Sequence, residues 1–174
     1  MSSRRLSYAA LMMAAGLTGA YAEPIPNFEV LTLVLFSTGV LLGARDGALV
    51  GALTELVYSL LNPYGAAHPL VLLSQVSAMA LAGAAGGVAA RLGLPLRPAA
   101  LRAPVLALAA VGLTGFFDLL TNLATGVVYG QMRVILLGGI PFSLVHIGTN
   151  ALLFAVVGTP LVGVFEHYRL RLSS

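Results

Sequence analysis

The chain contains no cysteine, no tryptophan and no lysine, and only 9% of its 174 residues are charged. Without cysteine there are no disulfides, no thiolate metal sites and no cysteine nucleophile. Without tryptophan, a ligand site that clamps a large ring between indoles is disfavoured. The shortage of charge excludes the most. A soluble domain of this length carries roughly a quarter charged residues, so water could not solvate a surface built from this composition. The sequence also lacks a Gly-x-Ser-x-Gly elbow, a His-Glu-x-x-His zinc helix and a phosphate-binding loop. Its histidines, His68, His146 and His167, are expected at three different depths, so neither a metal site nor a cofactor is expected.

What remains is apolar: 59% of the residues are hydrophobic, and the mean hydropathy is +0.96. One membrane-crossing helix needs about 20 residues, which leaves room for five to seven spans in a single domain covering residues 1–174. Six apolar stretches stand out, at about 6–22, 28–43, 47–61, 70–90, 103–128 and 138–165. Prolines 24 and 26 break the first junction, and Ala44-Arg45-Asp46 makes the second a tight hairpin. Asn62-Pro63-Tyr64-Gly65 is a turn signal, residues 91–102 hold three arginines and two prolines, and Tyr129–Arg133 is short and polar. The expected fold is an all-α integral membrane bundle of six transmembrane helices.

A pI near 9.7 would suggest nucleic-acid binding in a soluble protein. Here the arginines lie between apolar runs and read as topology signals, with no nucleic acid expected. With six spans and a cytoplasmic N-terminus, Arg4, Arg5, Arg45, Arg91, Arg97, Arg102, Arg169 and Arg171 fall inside and only Arg133 outside. Arginine resists translocation, so this split predicts both termini in the cytoplasm. Residues 1–22 also resemble a cleavable signal peptide ending in Ala20-Tyr21-Ala22, but the arginine balance favours a retained first helix.

Glu55, Gln75, Asp118, Asn122, His146 and Asn150 lie within the apolar spans. Ionisable groups there are costly and need a partner or a wet cavity. Asp118 and Asn122 are four apart, as are His146 and Asn150, so each pair shares a helix face. In the expected topology Gln75, Asn122 and His146 fall in outer halves, and Glu55, Asp118 and Asn150 near the midplane. That distribution fits a polar cavity open to the outside. The other reading is interhelical hydrogen bonding, in a structural or assembly protein that binds no small molecule. Small residues at spacing four, including Gly43, Gly47 and Gly51, Gly83 and Gly87, and Ala10 and Ala14, suit close helix packing or a docking face.

The stretch Pro26-Asn27, an apolar helix, then Gly43-Ala44-Arg45-Asp46-Gly47-Ala48-Leu49-Val50-Gly51-Ala52-Leu53, resembles the substrate-binding (S) components of energy-coupling factor vitamin transporters. Ala10-x-x-x-Ala14 is similar to the alanine motif through which S components dock, with Thr18 where a third alanine often stands. The resemblance, in size, layout and orientation, covers nearly the whole chain. It implies capture of a vitamin or related micronutrient from outside a prokaryotic plasma membrane. Delivery would then follow in a complex with a coupling membrane subunit and two ATPases, and this chain would have no ATPase site of its own. It further implies Gln75, Asp118, Asn122, His146 and Asn150 as leading ligand contacts. Asn62, Tyr64, His68, Tyr129 and Arg133 are the outer-loop candidates, Asn27 is a contact or a helix cap, and Ala10 and Ala14 are the docking residues. Glu55 joins the substrate set as a midplane acid. Cobalamin, a queuosine precursor, a thiamine or pyridoxine relative and lipoate all stay open.

Overall fold

A computed structural model of the chain describes residues 2–22, 29–62 and 65–172. Those residues are helical almost throughout, with no strand among them. The helices are α1 (Ser3–Tyr21), α2 (Leu31–Leu42), α3 (Ala44–Leu60), α4 (Pro69–Arg91) and α5 (Ala99–Tyr129), with a short 3₁₀ turn at Leu94–Leu96 before α5. The last rod is continuous: α6 (Met132–Leu153), one π-helical turn (Phe154–Gly158) and α7 (Thr159–Leu172).

Local chemistry accounts for the boundaries. Ser2 caps α1 by accepting from the Arg5 amide, and His68 caps α4 with Pro69 in its first turn, where a missing N–H costs nothing. Between α2 and α3 the chain turns on one residue, Gly43, at φ +90°, a conformation that a side chain would strain. Gly130, at φ +66°, closes α5 in the same way.

Three helical segments, Pro69–Arg91, Ala99–Tyr129 and Met132–Arg169, are long and apolar enough to cross a membrane. Their large side chains point outward: in α5 and in the α6–α7 rod only 17% of the most apolar window is buried. Leu108, Leu119, Val127, Leu137, Phe142, Leu144 and Val156 are all more than half exposed. A continuous apolar exterior of this extent marks a surface that faces lipid or protein rather than water.

α2 is the opposite case. It has 12 residues, 11 of them buried, and at 1.5 Å per residue it is about 18 Å long, against a hydrocarbon core of about 30 Å. It is a short axle enclosed by the other helices. Leu35, Phe36, Val40 and Leu41 are at most 1% exposed, and the Phe36 ring meets Phe154 edge-on at 5.4 Å between centroids.

Glycine sets the close approach of α2, α3 and α4. A Cβ on Gly39 would strike the Gly83 carbonyl, one on Gly86 the Phe36 carbonyl, and one on Gly87 the Ala44 backbone. Lipid supplies no hydrophobic drive between helices, so such backbone contact is what holds them.

The helix directions gather the arginines. Arg5 Nη2 bonds Asp46 Oδ2 at 2.7 Å and also the Leu42 carbonyl, tying the start of α1 to the α2–α3 turn. Tyr8 packs on Tyr168, over which Arg171 lies, and Arg102 abuts Gly163 of α7. Gly87 against Ala44 brings the Arg91 end of α4 to the same place. Eight of the nine arginines thus share one end of the bundle, and Arg133, beyond the far end of α5, lies at the other.

Candidate functional site

Towards the end away from those arginines, a cavity of about 230 Å³ opens among the helices. Every helix but α7 contributes to it. Ala20 comes from α1, Leu31 from α2 with Glu29 just before it, and Glu55, Tyr58 and the following Asn62 from α3; Gln75 and Met79 come from α4, Phe117 from α5 and His146 from α6. The aromatic pair Tyr21–Tyr58, with centroids 5.4 Å apart, joins the ends of α1 and α3 nearby.

Glu29 organises the floor. Its Oε2 accepts from the Thr32 amide at 2.9 Å, so the carboxylate caps the exposed N–H groups at the start of α2. Its Oε1 accepts from Thr32 Oγ1 at 2.6 Å and from Asn150 Nδ2 at 2.9 Å. Asn150 Nδ2 also reaches Thr114 Oγ1 at 3.0 Å, so one buried amide links α5, α6 and the start of α2. On the same face of α6, one turn away, His146 presents Nε2 3.5 Å from Glu29 Oε1. Its Nδ1 lies 2.9 Å from Asp118 Oδ1 on α5. An ionised carboxylate only accepts, so the imidazole donates from Nδ1 and turns Nε2 to Glu29 and the cavity.

A second polar group lines the opposite wall. Glu55, 1% exposed, accepts from Ser59 Oγ at 3.0 Å, and that same hydroxyl stands 3.2 Å from Gln75 Oε1. Three buried polar atoms of the site have no hydrogen-bond partner among the described residues: Asp118 Oδ2, His146 Nε2 and Asn150 Oδ1. No group of three or more metal-ligating side chains is placed to hold an ion among the described residues.

Of the residues expected from sequence, Glu55, Asn62, Gln75 and His146 line this cavity, and Asp118 and Asn150 hold its polar floor. Asn122 faces elsewhere: with Asp118 it lines a separate cavity of about 260 Å³ between α5 and α6, walled by Leu136, Ile140, Leu144 and Ile147. His68, Tyr129 and Arg133 are exposed and line neither. Tyr64 and Asn27 lie outside the described residues.

Glu29 is the residue that sequence reasoning passed over. It stands in the first turn of an apolar stretch and reads as an ordinary helix-start acid. The available signal was Glu29-x-x-Thr32, an acid and a hydroxyl three residues apart at the start of an apolar stretch.

No known family model, no curated protein and no solved structure matches this chain.

Proposed function

We propose that this chain is the membrane-embedded substrate-capture subunit of an energy-coupling factor type importer. It crosses a prokaryotic plasma membrane six times, with both termini in the cytoplasm. It takes a vitamin-like small molecule from outside and delivers it with a coupling subunit and two ATPases.

The observation that carries this reading is the position of the cavity. A small chamber with a few directed polar groups in an apolar wall is the usual form of a ligand site. This one lies away from the arginine-rich end, which the positive-inside rule assigns to the cytoplasm. Capture from outside needs that arrangement. The polar groups also argue for binding over chemistry: His146 Nε2 faces a carboxylate, so among the described residues the Asp118–His146 pair is not set against a hydroxyl nucleophile. On α1, Ala10 and Ala14 are exposed, as a docking face for the coupling subunit requires.

Native mass spectrometry of the purified chain tests the reading. A bound small molecule is expected, with thermal stabilisation by one member of a vitamin panel. His146→Ala should weaken that ligand roughly 10-fold or more, as expected for a lost hydrogen bond to a polar partner, while the protein stays monodisperse. Ala10→Leu with Ala14→Leu should abolish co-purification of the coupling subunit and leave ligand binding intact. A chain that holds no ligand and is only destabilised by His146→Ala is instead the structural protein described by the other reading of its polar residues.

A further inference from the structure

The balance of charge around the cavity is one-sided. Glu29 and Glu55 both line it, and Asp118 stands behind His146. Against these three carboxyl groups there is one basic group, the imidazole of His146, whose Nδ1 is already taken by Asp118. No arginine lines the chamber: eight are at the far end of the bundle, and Arg133 is exposed and apart.

Glu55 is the sharper case. It is 1% exposed, it has no ion pair among the described residues, and it accepts from a serine hydroxyl. Ser59 has one proton to offer, and both Glu55 Oε1 and Gln75 Oε1 stand within reach of it. The other polar groups of the lining, the Gln75 and Asn62 amides and the Tyr58 hydroxyl, can donate but carry no positive charge. A buried carboxylate without a cation beside it is costly, so the charge that would pair with Glu55 belongs to whatever fills the space. The remaining walls, Leu31, Met79, Phe117 and Tyr58, are apolar or aromatic, and aromatic faces attract cations. At about 230 Å³ the chamber is smaller than the roughly 300–1,000 Å³ of drug-sized sites.

We propose that the ligand of this cavity is a compact organic cation, an amine- or amidine-bearing ring whose N–H groups sit between Glu29 and Glu55. This rests on reading the cavity as a capture site. An anionic ligand would be set against the carboxyl groups of Glu29 and Glu55, and a large macrocycle has no room.

Three probes of equal size separate the classes on the full-length protein in detergent: benzamidine as cation, benzamide as neutral isostere and benzoate as anion, with Mg²⁺ and Zn²⁺ alone as metal controls. Benzamidine should raise the melting temperature and bind at least roughly 10-fold more tightly than benzamide, with no shift from benzoate or either metal. Glu55→Gln should weaken benzamidine roughly 10- to 100-fold, the range for a hydrogen bond to a charged group, and leave benzamide unchanged. If Glu55→Gln does not fold, the three-probe comparison on the unaltered chain decides. Equal or tighter binding of benzamide or benzoate, or a shift with metal alone, overturns the proposal. Where no probe binds, the co-purified molecule decides: a cationic one supports the proposal, while a neutral or anionic one overturns it and leaves capture standing. No bound molecule and no response to any probe overturns the capture reading as well.

Discussion

At the residue scale, the centre of the molecule is a single carboxylate, Glu29, that joins the start of α2 to α6 and, through Asn150, to α5. Glu29 is held by Thr32, Asn150 and His146, and Thr114 is tied in through Asn150. Asn150 is fully buried, so Asn150→Ala leaves a carboxylate and a hydroxyl without their donor. It should destabilise the protein by about 1–3 kcal/mol, read as a lower melting temperature in detergent. Asn150→Asp should cost more, because it sets a second carboxyl group against Glu29. Part of this site was legible beforehand. A spacing of four puts His146 and Asn150 on one face, and both do turn to Glu29. The same spacing links Asp118 to Asn122, and both line the cavity between α5 and α6. The bond from Asp118 to His146 was not legible, because it joins residues 28 positions apart and depends on how α5 lies on α6.

Among the elements, α2 and α4 behave differently from α5. Glycines 39, 83, 86 and 87 are spacers between backbones, and a methyl group on any of them would meet main-chain atoms that cannot swing aside. Gly83→Ala should therefore lower stability by about 1–3 kcal/mol, the cost of overpacking a filled interface. Gly112→Ala on α5 is the control: a Cβ there meets nothing within 4 Å. Alanine should be neutral or stabilise by about 0.5–1 kcal/mol through helix propensity. Parallel melting curves of the two variants check both expectations. The repeated glycine spacing announced close packing in the sequence. It did not announce that α2 would be the enclosed partner.

For the whole molecule, the separation of arginines from the polar cavity is the organising feature. It makes orientation measurable. A fluorescent-protein fusion at the C-terminus should glow, and alkaline phosphatase at that position should be inactive. A fusion placed after Gly130 should behave in the opposite way. The reverse pattern would put the cavity on the cytoplasmic side and remove capture from outside as its role.

Composition and charge order, which are properties of the chain itself, determined that the protein is helical, that much of its surface is apolar, and where its helices break. They do so because backbone groups in lipid must be satisfied within each helix, and because proline, glycine and arginine act locally. Tertiary structure alone decided which polar groups meet. It placed a 12-residue helix at the centre, ended it inside the bundle at Glu29, and assembled a chamber from all six rods. A lone buried acid says only that a partner must exist. Which partner it finds is decided by interhelical packing, and no pattern along one helix encodes that.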